Sequence, residues 1–327
     1  MINIRNLKKH FSFSQGPLKA VDGVSLTIEE GQTLGLVGES GCGKSTLGRT
    51  LLRLYEPTEG EFWFQGLNVF SFSERETKSW RKSAQMIFQD PYASLNPRMT
   101  AEDLIVEPLK IHGLPYYPEQ IIEMFKKVHL NPSHRKRYPH EFSGGQRQRI
   151  GIARALMLNP RFMICDEPIA ALDVSIQAQI INLLKKLQQE HHLTYLFISH
   201  DLRMVHYLAD QIAVMYLGKI VETGSSRTIF QNPSHPYTQA LLSAIPRPEL
   251  KVNKNKPSLL LKGDIHRSLS LPKGCRFCCR CPKAMSICQE VEPVLQTISS
   301  GHQVACHLFN PTILPMGSPP NDLKCSS

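Results

Sequence analysis

Long apolar runs are missing from this 327-residue chain. The longest nearly uncharged apolar stretches, such as Ile212 to Leu217, fall far short of the roughly 18 residues that cross a bilayer. The N-terminus lacks an apolar signal region too, because Lys8, Lys9 and His10 follow directly on the first seven residues. The expectation is a cytoplasmic chain whose membrane role, if any, is peripheral. There is no internal repeat and no coiled-coil heptad, which sets solenoids and long zippers aside. Acidic residues are in deficit: 28 Asp and Glu face 38 Lys and Arg, for a net charge of +10. With 41% hydrophobic and 20% charged residues, the composition is that of an ordinary globular protein. It excludes a mainly disordered chain, a collagen-like fibre and a small disulfide scaffold.

The positive charge is uneven. Residues 251–327 carry ten Lys and Arg against four Asp and Glu, so six of the ten net charges lie there. Such a balance suits nucleic acid, anionic lipid or phosphate-bearing ligands, and equally a solvated basic surface. Cysteine is clustered as well. Cys42, Cys165 and Cys325 are scattered, whereas Cys275, Cys278, Cys279, Cys281, Cys288 and Cys306 crowd into a short span. In a reducing compartment that pattern reads as metal binding more readily than as disulfides.

Short apolar runs alternate with helical patterns. Val24 to Ile28, Thr33 to Val37, Phe162 to Cys165 and Thr194 to Ser199 read as strands; Ser45 to Leu54, Gln146 to Leu158 and Ile176 to Gln189 read as helices. The continuous apolar strands lack alternation, as strands buried on both faces do. This alternation of strands and helices predicts an α/β fold with a parallel sheet covered on both sides. Residues 91–142 break the rhythm and read as a helical insertion. After Ile245 a linker is expected through Pro246, Pro248, Lys251, Lys254 and Lys256, followed by a small cysteine-bearing unit near 263–308 and a disordered end from Phe309.

Two stretches carry phosphate chemistry. Residues 38–45, GESGCGKS, fit the phosphate-loop pattern with Gly38, Gly43, Lys44 and Ser45, between a strand candidate and a helix candidate. Glycines let backbone N–H groups close around a phosphate, and the helix N-terminus adds partial positive charge. Lys44 is expected to reach the β- and γ-phosphates and Ser45 to ligate Mg²⁺. The plain alternative is a Gly-rich turn without a ligand. The second stretch, FMICDE at Phe162 to Glu167, ends a buried strand in two acids, at the strand edge where parallel sheets place ligands. Asp166 suits the Mg²⁺ shell and Glu167 suits a general base for the attacking water. Alone, the pair could equally cap a helix.

With FSGGQRQR at Phe142 to Arg149 the chain resembles an ABC transporter ATPase subunit, and the motifs come in that family's order. The resemblance covers about residues 1–245. It implies a P-loop ABC-type nucleotide-binding domain: a RecA-like parallel-sheet core, an antiparallel β subdomain and a helical subdomain at about 91–160. Phe11 then matches the aromatic that stacks on adenine, with adjacent His10 as the alternative. Gly38, Glu39, Ser40, Gly41, Cys42, Gly43, Lys44, Ser45 and Thr46 form the Walker A loop for ATP. Gln89 matches the Q-loop, touching Mg²⁺ or the water. Ser143, Gly144, Gly145 and Gln146 match the signature that faces the ATP of an opposite subunit, and Asp173 the D-loop. Asp166 and Glu167 are the Walker B pair and His200 is the switch histidine. Two departures stand out: Phe142 replaces the commoner Leu, and Ala170 replaces a serine of the D-loop. A local reading of Ser143 competes, since Ser-x-x-Gln is also a capping box.

FQDPYASLNPRMT (88–100) and NPSHPYTQALLSAIP (232–246) resemble the oligopeptide and dipeptide importer ATPases, and residues 21–54 their F-type subunit. That likeness implies a heterodimer with a homologous ATPase, two transmembrane permease subunits, an extracytoplasmic peptide-binding protein, and a place on the cytoplasmic face of the cell (inner) membrane. Related importers for nickel, glutathione or another solute stay open. So does a soluble ABC ATPase acting on nucleic acid or ribosomes, although no nucleic acid is expected, and so does a non-hydrolytic regulatory subunit, against which Glu167 and His200 speak. In the same branch some members carry a four-iron four-sulfur cluster, and Cys275, Cys281, Cys288 and Cys306 have matching spacing. Cys275, Cys278 and Cys281 before Pro282 echo ferredoxin spacing, and four-thiolate zinc or unligated thiols are the other readings.

Overall fold

A computed structural model describes residues 1–14, 16–170, 172–245 and 271–310. The expected linker, the end of the chain from 311 and Cys325 lie outside the described residues. Two sheets organise the rest. A four-stranded antiparallel sheet runs in the order β2-β1-β4-β5, from β1 (Ile2–Phe13), β2 (Gly16–Ile28), β4 (Glu59–Phe64) and β5 (Leu67–Asn68). An eight-stranded sheet runs β11-β12-β10-β9-β3-β8-β7-β6. Its parallel part is β3 (Thr33–Val37), β6 (Ala84–Ile87), β7 (Phe162–Asp166), β8 (Thr194–Ser199) and β9 (Gln211–Tyr216); β10 (Lys219–Ser225), β11 (Gln296–Ser299) and β12 (His302–Val304) add antiparallel strands at one end.

The helices are α1 (Lys44–Leu51), α2 (Glu74–Trp80), α3 (Pro91–Ser94), α4 (Ala101–Ile111), α5 (Pro118–Lys127), α6 (Gly144–Leu156), α7 (Val174–His191), α8 (Leu202–Leu208), α9 (Ser226–Gln231), α10 (Pro236–Ser243) and α11 (Ile287–Glu290). Helices α3 to α6 interrupt the parallel sheet between β6 and β7, in the region expected to be helical.

The parallel strands are mostly apolar because each of their faces closes a different core. Tyr195 and Phe197 of β8 belong to one cluster with Ile150 of α6, Leu184 of α7 and Val205 of α8. Leu196 and Ile198, the alternate residues, belong to the other, with Leu47 of α1 and with Leu26 and Phe62 of the antiparallel sheet. Burying such a side chain contributes about 1.5–3 kcal/mol each. In β2 the pattern is different: Val24, Leu26 and Ile28 are buried while Ser25 and Thr27 between them are not, as one-faced antiparallel strands require.

The expected strands Thr33–Val37 and Thr194–Ser199 match β3 and β8 residue for residue. The three expected helices begin earlier than periodicity suggested, and local chemistry explains two of them. Gly43 adopts φ 110°, so the loop ends there and Lys44 is the first helical residue. Ser143 accepts the Gln146 N–H at 3.3 Å while Gln146 Oε1 accepts the Ser143 N–H at 3.0 Å, which starts α6 at Gly144.

The cysteine-bearing segment packs against the main sheet. β12 pairs with β10, and the buried Glu222 carboxylate of β10 meets the ring of His302 at 2.8 Å. Phe277, 1% exposed, sits among Tyr216, Tyr237 and His235. Phe277→Ala should therefore lower the unfolding free energy by about 3–5 kcal/mol in urea denaturation. A loss below about 1 kcal/mol, the level of an ordinary surface change, would show that this ring is not a core residue.

Candidate active site

The loops leaving the C-terminal ends of β3, β6, β7 and β8 meet at one edge of the large sheet. The 38–45 loop follows β3, Gln89 follows β6, Asp166 ends β7 with Glu167 next, and His200 follows β8. Parallel strands carry chemistry at this edge because successive loops emerge side by side there.

The loop after β3 is tightly specified. Lys44 is 3% exposed, and its Nζ donates to the carbonyls of Gly38 at 2.7 Å and Glu39 at 3.0 Å. The ammonium thereby cross-ties the loop it closes. At Gly43 a Cβ would stand 2.0 Å from the Ala20 carbonyl oxygen, on top of the left-handed backbone, so no other residue fits without rebuilding β2. Burial raises the thiol pKa of Cys42, which packs as an apolar filler.

Ser45 Oγ donates to Asp166 Oδ1 at 2.7 Å. Asp166 is fully buried, and burial raises its carboxyl pKa above the ordinary range; the Ser45 bond pulls the other way. Its second oxygen, Oδ2, is buried and has no hydrogen-bond partner among the described residues. A buried carboxylate oxygen without a partner is costly unless a cation or water faces it. A serine hydroxyl beside it is the hard oxygen donor set that Mg²⁺ takes, so these residues fit that ion.

Glu167 is the centre of a small polar network. Gln89 Nε2 donates to Glu167 Oε2 at 3.1 Å, and His200 Nδ1 lies 3.3 Å from the same oxygen. The Glu167 side chain is 10% exposed whereas that of His200 is 56% exposed, so the carboxylate is shielded and the imidazole is open to solvent. Glu167 also has φ 45°, a left-handed conformation in which a non-glycine residue stores strain. Its N–H donates to the Ile198 carbonyl at 3.0 Å, which fixes the turn out of β7. The structure thus joins three residues that the sequence separates by 78 positions, from Gln89 to Glu167, and by 33, from Glu167 to His200.

A cleft of about 250 Å³ opens in front of these groups. Ser40, Gly41, Cys42, Gly43, Lys44, Ser45, Thr46, Gln89 and Glu167 line it, and Phe11, Pro17, Leu18 and Leu271 form its apolar side. Phe11 points into the cleft with its edge against Tyr55 and the Lys9 ammonium 4.8 Å from the ring centre. His10, the alternative to Phe11, is turned to Asp22 at 3.0 Å. Successive residues of a strand face opposite sides, which separates the two. Leu18 and Leu271 went unnoticed in the sequence because nothing in an isolated leucine marks it as a cleft residue.

The signature residues and the D-loop lie away from this cleft. Ser143 is exposed at the N-terminus of α6, and Gly145 is buried where a Cβ would come within 2.5 Å of Ile176. Asp173, at the start of α7, is exposed. The Q-loop side reaches α6 through Tyr92, whose ring lies 3.7 Å from the Arg147 guanidinium and whose hydroxyl accepts from it.

The cysteines form a second cluster. The thiols of Cys275, Cys281, Cys288 and Cys306 lie within electrostatic reach of one another. Burial pushes Cys275 up to about 12 and Cys281 up to about 11, with the neighbouring thiols adding to both. Among the described residues, however, no group of three or more His, Cys, Asp or Glu side chains is arranged to hold a metal ion.

Known proteins resemble the chain along most of its length. The ABC transporter family matches residues 21–170, and the oligopeptide/dipeptide transporter C-terminal region matches residues 221–288. The putative oligopeptide transport ATP-binding protein YkfD of Bacillus subtilis is 54% identical over 94% of this chain and 95% of its own. The oligopeptide transport ATP-binding protein AppF of the same organism is 50% identical over 95% and 98%. Among solved structures, the ATP-binding cassette MJ0796, a dimer in a post-hydrolysis state bound to ADP and Pi, has 30% identity and a TM-score of 0.64, covering 69% of this chain and 99% of that one. With such identity sustained over nearly the whole of both chains, the protein belongs to the ABC transporter family as one of its ATP-binding proteins.

Proposed function

We propose that the chain is the ATP-hydrolysing subunit of an importer for di- and oligopeptides. The observation that carries the catalytic half of this reading is Glu167, held by Gln89 and His200 beside the Ser45–Asp166 pair at the mouth of the cleft. The peptide half rests on the relatives named for oligopeptide transport, which align with this chain almost end to end. Importers for nickel, glutathione or another solute are the neighbouring alternative.

In the cleft, Phe11 stacks on the base, and the backbone N–H groups of 38–46 receive the phosphates. Lys44 exchanges its bonds to the loop carbonyls for phosphate oxygens. Ser45 and Asp166, with Gln89, would hold Mg²⁺, which supplies charge neutralisation when bound. Glu167 accepts a hydrogen bond from the attacking water and aligns it with the terminal phosphorus; catalysis here is mostly positioning and charge stabilisation. The strained turn and the Gln89 amide keep that carboxylate in one place, with His200 beside it. His200, exposed at the same edge, contacts the terminal phosphate. The uncovered N-terminus of α6 at Ser143, Gly144, Gly145 and Gln146 suits an anion on a second ATPase subunit, with Asp173 at the same joint. Binding two nucleotides across such a joint brings the subunits together, and hydrolysis releases them.

The complex would comprise a homologous ATPase, two transmembrane permeases and an extracytoplasmic peptide-binding protein, with this chain peripheral on the cytoplasmic face of the membrane. No helix among the described residues is long and apolar enough to cross a membrane itself. Glu167→Gln in the assembled complex should leave ATP binding intact and cut ATP turnover and peptide uptake by about 10²–10⁴-fold. Unchanged turnover and uptake would overturn the catalytic assignment. Loss of turnover in a complex that carries no peptide but a different solute would overturn the substrate class alone.

Cys275, Cys281, Cys288 and Cys306 are the set proposed for a four-iron four-sulfur cluster, with zinc as the alternative. Their mutual proximity and four-thiol chemistry support it; their arrangement does not by itself amount to a ligand shell, so no step is assigned to a metal. Iron and acid-labile sulfide are expected in stoichiometric amounts in protein purified without oxygen. Zinc without sulfide would establish the alternative, and neither would leave four thiols packed as apolar groups.

A further inference from the structure

The second residue of the phosphate loop, Glu39, is gripped from three sides. Its N–H donates to Tyr237 Oη at 2.8 Å, its carbonyl accepts Lys44 Nζ at 3.0 Å, and its carboxylate takes Arg280 by both oxygens, at 2.7 and 2.9 Å. Arg280 comes from 241 residues away. The pair is largely shielded, with the arginine side chain 11% and the glutamate side chain 23% exposed. Two parallel bonds between a guanidinium and a carboxylate fix direction as well as distance, and shielding makes them stronger than a surface ion pair. Arg280 also reaches the Tyr216 hydroxyl at 3.4 Å.

Arg280 is no free-swinging side chain. It closes the turn Cys275–Cys281, in which Cys278 N–H donates to the Cys275 carbonyl and Cys281 N–H to the Cys278 carbonyl. The turn is anchored beside it by Phe277 in the Tyr216–Tyr237 pocket and by Arg276, which bonds Asp22 of β2 and the Leu217 carbonyl. Its outer end is fixed by the Cys275 N–H bond to the Cys288 carbonyl at 2.8 Å. One rigid turn therefore holds two of the clustered cysteines and, between them, the cation that holds Glu39.

We propose that Arg280 is a positioning residue for the phosphate loop: its forked bond to Glu39 couples the cysteine-bearing turn to the loop conformation that receives ATP. Any change that loosens the 275–281 turn then weakens nucleotide binding, without a residue of the turn touching nucleotide. The inference rests on the nucleotide reading of residues 38–46.

The test is a double-mutant cycle read as ATP affinity and turnover in the intact complex. Arg280→Gln should raise the KM for ATP about five- to twentyfold, the lower part of the usual range of coupling between sites, with kcat within about twofold, and Glu39→Gln should raise that KM by a similar factor. The double variant should be no worse than either single one, since both remove one interaction. Arg280→Lys, a point charge without the fork, should fall between. Because coupling is reciprocal, MgATP should slow amide exchange across 275–281 in the wild-type chain and do so less in Glu39→Gln, which leaves the turn's own side chains intact. Single variants within twofold of wild type, KM losses that multiply in the double variant, or exchange across 275–281 indifferent to MgATP would overturn the proposal. Lys44→Ala separates the two readings: if it left ATP binding untouched, the nucleotide assignment itself would fall.

Discussion

The hydrogen bond from Ser45 to Asp166 spans 121 positions of sequence, and the site depends on it. It can form only because β3 and β7 run parallel on either side of β8, so that the loop after one and the end of the other arrive at the same edge. The same constraint delivers Gln89 from β6 and His200 from β8. Each of these side chains sits one or two residues beyond a buried apolar strand. The two cores that bury those strands therefore set the precision of the polar cluster, and packing and chemistry are one problem here rather than two. Asp166 shows the cost: full burial raises its carboxyl pKa, and one of its buried oxygens has no hydrogen-bond partner among the described residues.

Local patterns made much of this legible. β3 and β8 could be bounded to the residue because each is a short run buried on both faces that opens on a threonine and stops at the motif residue after it, Gly38 or His200. The phosphate-loop pattern and the acids after β7 stood out for the same reason: their spacing is fixed by backbone geometry within a few residues. What stayed hidden is non-local. The half-exposed β1, with irregular register against both neighbours, carries little periodicity. The pairing of β12 with β10 brings together segments some 80 residues apart, and nothing in three residues announces a partner strand. Arg280 and Glu39 are ordinary charged residues until the fold joins them. One signal was readable and passed over: Ser73 and Glu76 form a capping box that starts α2, and the Ser-x-x-Glu spacing is plain in the sequence.

The basic character of the C-terminal region also takes on a different meaning. Taken as composition, ten Lys and Arg in that stretch suggested an anionic partner. Arg276 instead meets Asp22 and Glu292, and Arg280 meets Glu39, so these two charges are used inside the molecule. A charge count registers them as surface, whereas the structure spends them on joining the C-terminal segment to β2 and the phosphate loop. The relatives named for transport fit that picture better than a nucleic-acid role does.

The β11–β12 hairpin has a consequence for where this chain can be cut. Without it, β10 would present a row of open N–H and C=O groups, and Glu222 would keep a buried carboxylate stripped of His302. Exposed edges recruit other strands, and a buried charge deprived of one partner is strongly destabilising. The hairpin covers that edge and ends in a four-residue strand, too short to template further pairing. A fragment bounded by the nucleotide motifs alone would leave the β10 edge and one side of Glu222 uncovered, whereas one that reaches Val304 keeps both contacts.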